Sequence, residues 1–323
     1  MGFQIMGFQT VRGSFPAWLC VLLLGILAGA GFAGAGAATA SATKATPMWV
    51  VRANPSRVVN GAPIFLEVTS PARLKSLTGT WLGHEIVFNQ TGGKTWFALA
   101  GVSLETKPGS YALTLDGVTE AGSRASFRRD FVVGRAQYPT VQLTVSKQFT
   151  EPSHEQQEKI KEDQGVKHQT FSQSAPEREW SGQFSPPVEA PVSDVFGTRR
   201  VFNGATKSVH QGLDYRVAPG TQVSAVNGGT AILARLLYFE GNCVVLDHGQ
   251  GLLTLYLHLS EIQVKEGERV QRGQSIGLSG ATGRATGPHL HLAVRWQGVY
   301  LNPAVLLRLH LPESGTKPSA PAR

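Results

Sequence analysis

The chain has 323 residues, 30 Lys and Arg against 22 Asp and Glu, a formal net charge of +8, and 41% hydrophobic side chains. That length holds two domains, and that composition excludes a chain that is disordered throughout or fibrous. The basic balance favours acidic surfaces such as anionic polymer or membrane. The Lys and Arg residues are dispersed rather than clustered, which argues against nucleic acid as a partner.

Arg12 is the only charged side chain in residues 1–40, Ala17 to Ala30 is an apolar run, and small residues follow it to Ala38-Thr39-Ala40. Basic, then apolar, then small is the order of a secretory signal, with cleavage expected after Ala40 or Ala42. The alternative is an uncleaved inner-membrane anchor, because Trp18 to Ala38 is just long enough to span a bilayer. Cys20 stands at the start of the apolar run, which excludes a lipoprotein signal. Either way the chain is expected in the periplasm or cell envelope. Removal of residues 1–40 lowers the formal charge from +8 to +7 and leaves Cys243 as the one thiol, so no internal disulfide forms. Within Cys243-Val244-Val245-Leu246 that thiol reads as buried and inert.

Residues 46–135 alternate apolar and polar in short runs divided by Gly, Pro, Asn and Asp. Val50–Arg52, Ile64–Val68, Thr95–Leu99, Ser110–Leu115 and Ser126–Val133 each fit a strand, and their spacing predicts an immunoglobulin-like β-sandwich. His84 reads as an exposed loop histidine. Residues 136–180 form a linker: a strand at Val141–Val145, then a charged stretch from Glu151 to Gln164. With Pro152 near its start and no apolar face, that stretch predicts a short solvated helix, followed by an extended connector that lets the flanking domains move. His154 and His168 are expected in solvent. Residues 181–310 are again β-rich, with strands at Gly229–Phe239, Cys243–Asp247, Leu252–His258, Ser275–Leu278 and His289–Trp296. Dense glycine between them predicts a compact barrel or sandwich, so the chain as a whole is mainly β. Gly280-Ala281-Thr282-Gly283 lacks the Lys and the helix of a phosphate loop. Residues 311–323 hold three prolines and little that is apolar, and read as a disordered tail.

His289 and His291 are two apart on an expected strand, so both imidazoles reach one side of a sheet. Upstream stand His210 and Asp214, with Gly212 between them to let the backbone turn tightly. Zinc accepts this mixture of nitrogen and oxygen donors, and catalytic zinc sites take three protein ligands and keep a position for water. A fifth group, His258, lies in Tyr256-Leu257-His258-Leu259-Ser260. If all these groups bound one metal the site would be structural, whereas three ligands would leave two imidazoles for proton transfer. His248, in Asp247-His248-Gly249, is the decoy and reads as structural.

His-x-Gly-x-Asp, then Tyr-x-His-Leu-Ser, then Gly-x-Thr-Gly-x-x-Thr-Gly-Pro-His-Leu-His, in that order, resembles the lysostaphin and LytM-type zinc metallopeptidases that cut peptidoglycan. The resemblance runs from Ser193 to about Leu307 and includes Val195-Phe196-Gly197-Thr198-Arg199. It implies one zinc ion held by His210, Asp214 and His291, with His258 and His289 as catalytic imidazoles. A zinc-bound water would attack the scissile amide, and the two histidines would act as general base and acid. No His-Glu-x-x-His helix is present, so a glutamate base is not on offer. The implied function is an exported endopeptidase acting on peptidoglycan cross-links. The alternative is a non-catalytic wall-binding activator of a murein amidase, since some relatives have lost ligands. All five positions are occupied here, which favours the enzyme. The bond cut, the division of roles between the two histidines and the oligomeric state are not written in these motifs.

Overall fold

The computed structural model describes residues 48–204 and 206–312, so the expected signal segment and residues 313–323 of the expected tail lie outside the described residues. The described chain is mainly β. Its N-terminal part is two antiparallel sheets with one short parallel edge. In one, the strands Val50–Asn54, Pro63–Thr69, Thr95–Gly101 and Asn89–Gly92 are neighbours in that order. In the other, Val58–Val59, Arg124–Gly134, Gly109–Thr119, Leu74–Trp81 and His84–Val87 follow one another. Alternation sends Leu113, Leu115, Phe131 and Val133 inward, where they meet Leu66 and Val68 of the first sheet. Trp81 ties the sheets together: its indole N–H donates to the Gly101 carbonyl at 2.9 Å.

The C-terminal part is built on an eight-stranded antiparallel sheet. Along it lie Val192–Asp194, Gly212–Tyr215, Leu290–Trp296, Leu252–Leu259, Gly241–Asp247, Gly229–Leu237 and Arg269–Val270, and Val299–Leu301 pairs with Leu290–Trp296. The strand Leu290–Trp296 is central and separates two cores. Leu290, Leu292, Val294 and Trp296 enter the larger one, which is continuous with the core of the N-terminal sheets. The opposite face carries His291 and then Ala293, which joins a smaller cluster with Leu253, Leu255 and Val245. A two-residue period thus puts grease on one side and leaves the other for a polar group at the strand's start.

The connector is docked, in contrast to the mobile tether expected for it. The strand Thr140–Leu143 pairs in parallel with Arg199–Phe202, which itself pairs with Thr206–Val209. The helix spans His154–Phe171, capped by a reciprocal pair in which Ser153 Oγ accepts from the Gln156 N–H and Gln156 Oε1 accepts from the Ser153 N–H. Its face is narrow but not absent: Val166 and Phe171 pack against the smaller core, and buried Asp163 accepts the Tyr238 N–H at 2.6 Å. His154 and His168 are exposed, as expected. His84 is not a loop residue: it opens the strand His84–Val87 and its ring lies 5.1 Å from that of Trp296. Leu311, at the start of the expected tail, is buried.

Candidate metal centre

Three elements meet at the end of the central strand. Asp214 and His291 are direct cross-strand partners in the pairing of Gly212–Tyr215 with Leu290–Trp296, and His291 faces Leu257 on its other side. Register alone therefore brings a carboxylate and an imidazole together. His210 precedes the strand Gly212–Tyr215 and arches back, so that its Nε2 lies 3.1 Å from both Asp214 Oδ1 and His291 Nδ1. His291 Nδ1 lies 2.7 Å from the same carboxylate oxygen. The three ligand atoms are all within 4.8 Å of one another, and all three residues are buried.

Gly212 matters for a reason other than the tight turn expected of it. It sits in regular strand, and a Cβ there would come within 2.4 Å of His291 Nε2 and 2.6 Å of the Leu292 carbonyl oxygen. The His291 ring occupies the volume that any other residue would fill.

Neighbouring groups aim the donors. His210 Nδ1–H donates to the Val195 carbonyl at 2.8 Å, which leaves the Nε2 lone pair turned toward Asp214 and His291. Arg200, on the strand Arg199–Phe202, donates from one nitrogen to Asp194 Oδ2 at 2.6 Å and Asp214 Oδ2 at 2.5 Å. That grip orients the Asp214 carboxylate and leaves Oδ1 for the cluster. Burial alone would raise the Asp214 pKa. The close approach of His210 and His291 outweighs it and holds the carboxyl well below the usual range, so it is ionised. Burial lowers the His291 pKa, against the raising effect of Asp214. Two imidazoles and one carboxylate in convergent array fit a divalent cation that takes nitrogen and oxygen, and zinc is the usual occupant of such a set.

Two more imidazoles stand beside the cluster. The rings of His258 and His289 are 4.7 Å apart, and that of His258 is 6.1 Å from His291. His258 lies within the strand Leu252–Leu259 but at φ +65, the left-handed region that non-glycine residues avoid. The pairing with Gly241–Asp247 slips between Asn242 and Val244 opposite it. This bulge turns the imidazole out of the pleat and into the site. Its Nδ1–H donates to the Thr282 carbonyl at 2.8 Å. The Gly280-Ala281-Thr282-Gly283 turn is thus a clamp for this ring, with Gly283 at φ +69 against the Gly241 backbone. Burial first, then the neighbouring His289 and His291, push the His258 pKa down to about 3, which keeps the ring neutral. His289 immediately precedes the strand Leu290–Trp296. Its Nδ1–H donates to the Gly287 carbonyl at 2.8 Å, and its Nε2 lies 3.9 Å from Asp214 Oδ1. All five groups line one cleft of about 960 Å³. His248, by contrast, is buried away from the cleft, with Nδ1 2.6 Å from the Gly228 carbonyl and Nε2 2.8 Å from the Thr254 hydroxyl.

A cluster of two imidazoles and a carboxylate on an antiparallel sheet, flanked by two further imidazoles in an open cleft, defines a metallohydrolase type of centre. In the C-terminal region, residues 208–303 match the model of peptidase family M23. A segment of 129 residues is 41% identical to peptidoglycan DD-endopeptidase ShyA of Vibrio cholerae, covering 39% of this chain and 29% of that protein. Another of 128 residues is 40% identical to DD-carboxypeptidase/endopeptidase Mpg of Neisseria meningitidis serogroup B, covering 40% of this chain and 29% of that protein. The chain thus spans less than a third of the length of these curated relatives. A crystal structure of a peptidase M23 from Pseudomonas aeruginosa matches over 78% of this chain and 95% of its own, with a TM-score of 0.59 and 27% identity. That span is larger than the peptidase region alone.

Proposed function

We propose that this protein is an exported zinc metalloendopeptidase that hydrolyses peptide cross-links of peptidoglycan. In this reading His210, Asp214 and His291 hold one zinc ion, while His258 and His289 move protons. The observation that carries it is the convergence of the three donor atoms within 4.8 Å beside two imidazoles whose Nε2 atoms have no partner of their own strand or loop. ShyA is named a peptidoglycan DD-endopeptidase and Mpg a DD-carboxypeptidase/endopeptidase, and a bond between two D-centres favours the D-Ala–diamino acid link over glycine bridges. The basic, apolar and small-residue segment at the N-terminus supports export to the envelope, where that polymer lies. Among the described residues no helix is long and apolar enough to cross a membrane.

When bound, zinc would supply a Lewis acid and lower the pKa of a coordinated water toward neutrality. The residues of the chain do the rest. His258 and His289 each commit Nδ1–H to a backbone carbonyl, so each presents Nε2 as a proton acceptor. A neutral imidazole that accepts the proton of the nucleophile becomes the acid that delivers it to the departing amine. Arg200 keeps Asp214 aligned through this cycle, since its grip is on the oxygen that faces away from the cluster. Zinc content and muropeptide release test the assignment together. His291→Ala should lose both, whereas His258→Ala should keep zinc and lose roughly 100- to 10,000-fold in hydrolysis. Wild-type cutting by the His258 variant would sink the role given to it. Mass analysis of digested sacculi should find new D-Ala carboxyl ends and new diamino acid amines.

A further inference from the structure

Arg284 lies in the turn between Thr282, which clamps His258, and His289, and it lines the same cleft as both histidines. Its guanidinium carbon sits 4.5 Å from the centre of the Phe239 ring and 5.2 Å from that of Phe202. Phe202 closes the strand Arg199–Phe202, and Phe239 follows Gly229–Leu237, so two separate elements hold this cation. Cation–aromatic contact steadies the group and offsets part of its desolvation, but it satisfies none of the five N–H donors. Among the described residues the Arg284 side chain has no hydrogen bond and no ion pair. The neighbouring cation Arg200 differs, being engaged by Asp194 and Asp214. Glu240 exerts a field on Arg284, yet its Oε1 is paired with Lys167 and its buried Oε2 makes no hydrogen bond, to Arg284 or to any other group among the described residues. A half-buried, fixed and planar fork with no acceptor, at the wall of a cleft, is matched by a planar carboxylate taken by two parallel hydrogen bonds.

We propose that Arg284 is a specificity-determining residue that binds the substrate carboxylate on the carbon next to the scissile amide nitrogen. The inference rests on the proposed hydrolysis of peptidoglycan and deepens it by naming the residue and the substrate group that would select the cross-link. In a D-Ala–diamino acid cross-link, the carbon bearing the scissile nitrogen also bears a free carboxylate. In an internal glycine bridge, the corresponding carbonyl is tied up in the next amide and carries no charge. An arginine in the turn that holds one imidazole and leads into the other would select the first kind of cross-link. It would also seat the leaving amine beside the proton donor.

The test compares two synthetic cross-linked peptide dimers that differ only at that group, one with the free carboxylate and one with its primary amide. With the zinc-loaded full chain, kcat/KM should favour the acid by about 10- to 100-fold, the scale of one charge-assisted hydrogen bond. The ratio should fall toward one in Arg284→Gln and lie between in Arg284→Lys, which keeps the charge without the fork. A wild-type ratio near one, or a ratio that Arg284→Gln leaves unchanged, would overturn the proposal. Calorimetry in the His258→Ala background reads the same ratio as Kd values for the two dimers. If the wild type cut neither dimer, the proposed hydrolysis would fall, and the calorimetric ratio would still decide for or against a carboxylate subsite at Arg284.

Discussion

At the scale of single residues, the centre depends on positions that make room as much as on those that donate. Gly212→Ala would drive a methyl group into both the His291 ring and the Leu292 carbonyl, and neither can retreat, since His291 is held in the central strand. The expected cost is about 1–3 kcal/mol of stability together with a loss of zinc affinity of at least tenfold, read by chelator competition. Wild-type affinity in that variant would show that the close approach is unimportant. His248 makes a second prediction, about acid. Burial, against the raising effect of the Gly228 hydrogen bond, pushes its pKa down to about 4 from the ordinary 6.5. The unfolded chain therefore binds the proton more readily. The stabilisation is complete above pH 6.5 and is lost as pH falls toward 4, by up to about 3 kcal/mol. His248→Gln should be less stable at pH 7.5 but show a flatter decline over that interval in denaturant titrations.

At the scale of elements, the connector helix is a structural part of the peptidase sheet. Phe171 packs on the smaller core and lies under the Arg295 guanidinium at 4.4 Å. Phe171→Ala should cost about 1–3 kcal/mol, because a half-buried ring is lost. It should also raise hydrogen exchange through His154–Phe171 well before the sheet exchanges. A helix that exchanged freely in the wild type would mean that the docking is weak. Why the motifs were legible and this docking was not follows from periodicity. His291 sits on a strand whose two-residue alternation can be read from Leu290, Leu292 and Val294, and His289 immediately before it continues that alternation, so the sequence predicts both rings on one side. Val166 and Phe171 are two apolar residues in a charged helix and give no face to read. Leu257-His258-Leu259 reads as ordinary strand, and nothing in it announces a left-handed residue. Arg200 and Asp194 likewise carry no spacing signal; their part in orienting Asp214 arises only when Arg199–Phe202 is laid beside Gly212–Tyr215. The strands Leu74–Trp81 and His84–Val87 give no readable run, because Lys75, Ser76 and Gly79 interrupt the first and the second has only Ile86 and Val87 as apolar residues.

At the scale of the whole molecule, the N-terminal sheets and the peptidase sheet share one core. Gly101 lies so close to Leu301 that a Cβ on it would come within 2.6 Å of that side chain. Trp180 packs edge-on against Phe97, the Asn302 N–H donates to the Gly61 carbonyl at 2.8 Å, and Gln297 donates to the Glu85 carbonyl at 2.7 Å. The loop Ser103 to Glu105 reaches the cleft itself. Excising residues 181–310 would bare this seam and remove the strand that pairs with Arg199–Phe202. Such a fragment should melt roughly 10 °C or more below residues 46–312, on the scale of a few kcal/mol lost from a domain of this size. Equal melting temperatures would mean that the shared core contributes little. Comparing the two proteins on sacculi would then show whether the N-terminal part restrains the cleft or completes it.

The left-handed backbone at His258 bears on how this protein can be improved. A side chain at that φ holds the strand about 1 kcal/mol above what glycine would allow. His258→Gly should therefore leave the fold at least as resistant to heat as His258→Ala while removing the imidazole. Engineering guided by thermal tolerance alone would drift toward dead protein at this position, and any screen for robust variants has to carry wall cleavage as a second criterion.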